Sequence, residues 1–178
     1  MIQNIRITTL VENTASEADL LAEHGLSFWI EYGDKRILFD TGQSDILIQN
    51  AKALGINLAE ADAIILSHGH YDHTGGLAAV LDIADKAKIY LHPAAIEAKF
   101  SQKASGAKSI GMSDSAKEAI QDQHVVWTAT PAIIFPGMPV TGQVPRMNDY
   151  EDVGENFFVD ASCEKSDELL DDQTLFIE

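Results

Sequence analysis

Three of the six histidines in this 178-residue chain, His68, His70 and His73, fall within six residues, and a carboxylate, Asp72, stands beside the last of them. Imidazole nitrogen and carboxylate oxygen are donors suited to a borderline divalent metal such as zinc, iron(II) or manganese. A catalytic zinc takes about three protein ligands and leaves a position open for water. Such an ion brings the pKa of water from about 15.7 toward about 7, so that a nucleophile exists at neutral pH. One ion is expected on His68 and His70 and a second on Asp72 and His73. Zinc is the first choice, with iron or manganese as alternatives. Asp72 is also the candidate for steering the attacking water, because a carboxylate beside it can take up its proton. The plain alternative is a polar turn that happens to be rich in histidine. Interleaving with Gly69 and Asp72 between a strand and a helix argues against it.

The elements around the cluster are legible. The apolar run Ala63-Ile64-Ile65-Leu66 leads in and an amphipathic stretch, residues 76–85, leads out, which predicts a buried strand, a tight turn and a helix start. A second apolar run, Arg36-Ile37-Leu38-Phe39, ends in Asp40-Thr41-Gly42. Four further segments carry polar groups in compact patterns: Glu23-His24-Gly25-Leu26-Ser27, Thr74-Gly75-Gly76-Leu77, Thr141-Gly142-Gln143-Val144-Pro145-Arg146 and Asp171-Asp172-Gln173.

His68-x-His70-x-Asp72-His73, together with Asp40-Thr41-Gly42, resembles the metallo-β-lactamase-fold hydrolases. The other segments are similar to the dihydropterin-linked branch of that superfamily, which includes ribofuranosyl-aminobenzene-phosphate synthase relatives. The resemblance runs over nearly the whole chain. It implies an α/β (α+β sandwich) fold with αββα layering, and a metal-activated water acting on a small anionic substrate, pterin-like or phosphorylated. It also implies that Asp40 fixes a ligand imidazole by a hydrogen bond and that His24 lines the substrate pocket, the alternative for His24 being a plain loop or cap histidine. Members of the branch continue past a segment like Asp171-Asp172-Gln173 with a strand ending in Gly-Cys-Ser-His and a later histidine, which complete the two metal sites. Neither follows here. The chain is therefore expected to be one metallo-β-lactamase-like domain, residues 1–178, incomplete at its C-terminus and holding the N-terminal half to two-thirds of the fold. A sandwich lacking its second sheet would expose a large apolar face, which monomers rarely tolerate. A homo-oligomer or a missing C-terminal segment would cover it. The competing functional class is a non-catalytic truncated fragment or binding module with an incomplete metal site.

Bulk properties narrow the partners. The formal charge of −16 repels phosphate backbones and anionic membranes, so no nucleic-acid or membrane partner is expected. The acids near the C-terminus, Glu164, Asp167, Glu168, Asp171, Asp172 and Glu178, read as a solubility feature. Cys163 is the only cysteine, which fits a reducing compartment. Residues 1–7 alternate like a strand and lack the charged start and apolar block of a secretory signal. A cytoplasmic protein is the expectation.

Along the chain, residues 5–11 and 25–32 predict strands, with Gly33-Asp34 turning into a third over 35–40. Ile46, Leu47, Ala51 and Leu54 recur at helical spacing, with Ser44 as N-cap and Gly55 as stop. After a strand over 89–91, His92-Pro93 predicts an abrupt exit, followed by a helix over 94–100. Residues 101–115 read as an exposed loop and 117–121 as a short helix. Residues 124–128 and 132–135 read as a strand pair placing Trp127 and Phe135 in the core, before a turn over 136–139. Arg146, in a chain with only 12 basic residues, either grips a substrate carboxylate or phosphate or pairs with Asp149, Glu151 or another acid.

Overall fold

The β-strands of the computed structural model are β1 (Ile5–Val11), β2 (Ser27–Tyr32), β3 (Lys35–Phe39), β4 (Ala63–Ile65), β5 (Lys88–Leu91), β6 (Phe100–Lys103), β7 (Gly106–Ser109), β8 (Val125–Trp127), β9 (Ala132–Phe135), β10 (Met138–Val140) and β11 (Phe157–Phe158). The helices are α1 (Ile46–Ala53), α2 (Tyr71–Thr74), α3 (Leu77–Leu81) and α4 (Asp114–Ala119). The structure describes residues 4–148, 150 and 156–177; Met1, Ile2, Gln3, Asp149, Glu151 and Glu178, on which some sequence expectations fall, lie outside them. The described residues form two compact units, the first from 4–66, 71–90 and 113–126, the second from 67–70, 91–112 and those described between 127 and 177.

The first unit is built on a mixed sheet of order β1-β2-β3-β4-β5-β8, whose last residues in β5 and β8, Leu91 and Trp127, count with the second unit. β1, β2 and β3 pair antiparallel, and β3, β4 and β5 pair parallel. Parallel strands are covered on both faces and read as unbroken apolar runs; accordingly, all three residues of β4 are fully buried. The hairpin joins Tyr32 to Lys35 through Gly33-Asp34, as the sequence predicts. α1 buries Leu47 and Ala51, and a fully buried leucine contributes about 1.5–3 kcal/mol. Buried on the same helix, Asn50 donates its amide to the carbonyls of Leu10 and Leu21 and accepts from the Leu21 N–H. The loop between β1 and β2 is thereby tied down. Asp45, not Ser44, borders α1, but Ser44 Oγ still accepts the Ile46 N–H.

In the second unit β7, β6 and β11 form an antiparallel sheet of three, and β9 pairs with β10. Four expectations are corrected here. The helix over 94–100 shrinks to a 3₁₀ turn, Pro93–Ile96, because Lys99 is claimed by buried acids and Phe100 by the strand opposite, Phe158. The loop over 101–115 is a hairpin with Lys103 opposite Gly106, followed by α4. Every residue of β7 is exposed, so no apolar alternation announces it. Residues 124–128 and 132–135 do not pair with each other: β8 joins the large sheet and β9 turns back onto β10. Trp127, on the outermost strand, is 49% exposed and not core. Among the described residues no helix is long and apolar enough to cross a membrane.

Candidate functional site

The histidine-rich stretch divides between the units, with Ser67–His70 in the second and Tyr71 onward in the first. Each pair of candidate ligands is built locally.

In the first unit β3 ends at Phe39 and is followed by Asp40, which is fully buried and holds a φ of +56°. That left-handed conformation is uncommon for a residue with a side chain and persists only where the surroundings fix it. Here the Asp40 N–H donates to the Ile65 carbonyl (2.8 Å) and the Asp40 carbonyl accepts the Ser27 hydroxyl (2.8 Å). The carboxylate is thereby aimed at His73, with Oδ2 lying 2.7 Å from Nδ1. Thr41 grips the same residue from behind, its N–H (2.7 Å) and hydroxyl (3.0 Å) both donating to the His73 carbonyl. A carboxylate on one ring nitrogen fixes the tautomer and leaves the other nitrogen to ligate. That nitrogen, Nε2, lies 3.5 Å from Asp72 Oδ2. The close packing beneath needs a residue without a side chain: a Cβ on Gly75 would stand 2.0 Å from the Gln43 carbonyl oxygen.

Two residues of the Glu23-His24-Gly25 segment bear on this pair. His24 Nε2 lies 3.3 Å from Asp72 Oδ2, and its Nδ1 lies 3.1 Å from Asn13 Oδ1. Asp72 therefore faces two imidazoles while His24 remains largely exposed. Glu23 accepts from the N–H groups of Gln43 and Ser44 and from the Ser44 hydroxyl, fixing the segment that follows Asp40-Thr41-Gly42. Sequence reading missed Asn13 and gave Glu23 no role.

In the second unit the rings of His68 and His70 meet edge to face, 4.5 Å between centroids. His68 Nδ1 lies 2.9 Å from Ser67 Oγ. His70 is buried, Nε2 included, with Phe157 against its ring at 4.9 Å. The Gly69 N–H donates to Asp171 Oδ2 at 2.7 Å, and Asp171 Oδ1 accepts from Lys99 Nζ at 2.8 Å. Lys99 also donates to Asp167 Oδ2 at 2.8 Å. All three charged side chains are buried. Burial pulls the Lys99 ammonium down, but Asp171 and the bonds to Asp167 and Asp171 outweigh it, and its pKa is raised. The expectation that Asp167 and Asp171 merely aid solubility is corrected: they neutralise a buried cation. Removing one partner from a buried pair costs about 3–5 kcal/mol. Lys99 itself was missed, because a lone lysine between Ala98 and Phe100 gives no local sign of burial.

The remaining candidates are placed as follows. Arg146 makes an ion pair with Asp172, one of the alternatives the sequence allowed. Burial pushes the Asp172 carboxyl up, against the pull of Arg146. His92 is buried and caps the 3₁₀ turn, Nδ1 accepting the Ala94 N–H. Burial lowers its pKa, against the raising influence of Asp171 and Glu97. Among the described residues no group of three or more His, Cys, Asp or Glu side chains is gathered to hold a metal. The donors stand in pairs, each with a polar group on a ring nitrogen of one imidazole. That arrangement fits a divalent ion in its donor chemistry.

Comparison with known proteins agrees. The metallo-beta-lactamase superfamily model matches residues 21–147. The chain is 34% identical over 152 residues to 7,8-dihydropterin-6-methyl-4-(beta-D-ribofuranosyl)-aminobenzene-5'-phosphate synthase of Methanocaldococcus jannaschii, covering 80% of this chain and 52% of that protein. An uncharacterized protein of the same archaeon is 37% identical over 150 residues, covering 82% of this chain and 56% of its own length. The crystal structure of Tm1679, a metal-dependent hydrolase of the beta-lactamase superfamily, superposes with a TM-score of 0.78 at 28% identity, over 98% of this chain and 61% of that one. The chain thus spans about half the length of the curated relatives it matches. With the histidine motif, the aspartate that orients its last imidazole and the matched family model in agreement, the chain belongs to the metallo-β-lactamase superfamily.

Proposed function

We propose that this chain carries the histidine-rich part of a metal-dependent hydrolytic site acting on a small anionic substrate. The observation that carries the reading is the Asp40–His73 bond, which leaves His73 Nε2 beside the Asp72 carboxylate. His68 and His70 would hold one divalent ion, and Asp72 and His73 a second. Zinc suits the mixed nitrogen and oxygen donors, as iron or manganese would. A divalent ion held there would supply Lewis acidity that makes water a nucleophile near neutral pH. Asp40 keeps the His73 ring from turning. Asp72 takes up the proton of the attacking water. His24 lines the approach to Asp72 and touches the substrate first, being the most exposed of the group. Arg146 receives the substrate anion by exchanging Asp172 for it.

A pterin-like or phosphorylated substrate is supported by the 34% identity to a protein named as a dihydropterin-linked phosphate synthase. A cytoplasmic setting, with Cys163 a free thiol, and association of copies of the chain belong to the same reading. One observation favours a second reading, a binding module without turnover: the donors stand in pairs among the described residues. Metal analysis after exhaustive dialysis, with phosphodiester and ester turnover, decides. Near-stoichiometric retained metal with turnover supports the enzyme, and a folded, metal-free, inactive chain supports the module.

A further inference from the structure

We propose that Lys99 and Asp171 are positioning residues that set the geometry of the His68–Gly69–His70 ligand turn, an inference resting on the assignment of those histidines as ligands. Asp171 is fully buried and uses its two oxygens on different tasks, Oδ2 accepting the Gly69 N–H at 2.7 Å and Oδ1 accepting Lys99 Nζ at 2.8 Å. Two residues on, the Gln173 N–H donates to the Ser67 carbonyl at 2.9 Å, and the Gln173 side chain accepts the Thr128 hydroxyl at 2.7 Å. The residues either side of His68 are therefore both held by the segment 171–173. The turn has no slack on its other side, since a Cβ at Gly69 would stand 2.0 Å from the Ala95 carbonyl oxygen.

Lys99 gives this clamp its strength. Its ammonium lies 2.8 Å from Asp171 Oδ1, so the Gly69 N–H donates to a carboxylate whose other oxygen is held by a cation, and bonds of this charge-assisted kind are about twice as strong as neutral ones. Asp167 completes the pairing of Lys99 at 2.8 Å, but among the described residues none of its side-chain bonds reaches the candidate ligand turn; its other oxygen accepts the Leu169 N–H. The two acids are a matched pair: each neutralises the same lysine, and only one touches the turn.

The experiment compares Asp171→Asn with Asp167→Asn in the full chain. Zinc affinity is read by competition with a chromogenic chelator, and thermal unfolding is followed by circular dichroism. Both variants should melt earlier than the parent. Asp171→Asn should lose about 10–100-fold in zinc affinity, as loss of a group supporting a metal ligand typically does, while Asp167→Asn stays near the parent value. Equal losses in the two variants, or no loss in Asp171→Asn, would overturn the proposal. Amide hydrogen exchange in the metal-free parent provides a second reading if Asp171→Asn fails to fold. Gly69 should exchange among the slowest amides, and exchange at the rate of an unprotected peptide would overturn it. A parent chain that binds no zinc removes the proposed function, and the clamp then stands or falls on the Gly69 amide.

Discussion

Asp40 shows how one side chain can be costly to place and still be needed. Its backbone occupies the left-handed region at φ +56°, a conformation that disfavours an ordinary residue by about 1–3 kcal/mol. Three hydrogen bonds, one donated by its own N–H, one accepted by its carbonyl and one accepted by its carboxylate from His73, hold it there. Asn in its place keeps the size and an acceptor but loses the charge that strengthens the bond to the imidazole. Asp40→Asn should therefore fold and lose about 10–100-fold in metal affinity, measured by chelator competition. Unchanged affinity would remove Asp40 from the site. The role of aspartate at this position was legible through the resemblance that Asp40-Thr41-Gly42 carries. Its φ and the identity of the imidazole it holds were not, because His73 lies 33 residues further on.

At the scale of elements, the turn from β4 to α3 is shaped by close approach. Gly75 donates its N–H to the Gly42 carbonyl, and a Cβ there would stand 2.0 Å from the Gln43 oxygen and 2.7 Å from the Tyr71 oxygen. Both obstacles are backbone, so neither can swing aside. Gly75→Ala should destabilise the protein by about 1–3 kcal/mol, read from the urea midpoint, and weaken metal binding in proportion to the displaced turn. A variant as stable as the parent would mean that the turn yields. The strands of the first unit were legible, since β2, β3 and β4 carry the apolar patterns that half- or fully buried strands require. The β6–β7 hairpin was not: its second strand is exposed at all four residues, and only backbone pairing defines it. Tertiary demand on Lys99 and Phe100 likewise overrode the helical pattern from residue 94.

For the molecule as a whole, stability should depend on pH from two sides. Burial lowers the His92 pKa below its ordinary 6.5. In the window beneath 6.5 the unfolded chain binds more protons than the folded one, so stability falls as pH drops toward the lowered value. Lys99 works at the other end. Its raised pKa contributes stability that is fully present below the ordinary 10.5 and is lost as pH rises through the folded value. Asp172, raised by burial, acts in the opposite sense to His92, gaining stability as pH falls through the window above its ordinary 3.8. Melting temperature should thus decline on the acid side of neutrality. His92→Asn, which keeps an acceptor for the Ala94 N–H, should flatten that decline, and an unaltered acid slope would remove His92 as its cause.

The sequence by itself determined the clustering of three histidines and an aspartate within six residues, the strand and helix start around them, and the superfamily, because residue spacing and apolar periodicity are written in neighbouring residues. Only the tertiary structure decided which groups hold those donors. Lys99 meets Asp167 and Asp171 across 68 and 72 residues, and Gly69 meets Asp171 across 102. A buried charge finds its partner through the fold, and no local pattern in the chain records which acid that will be.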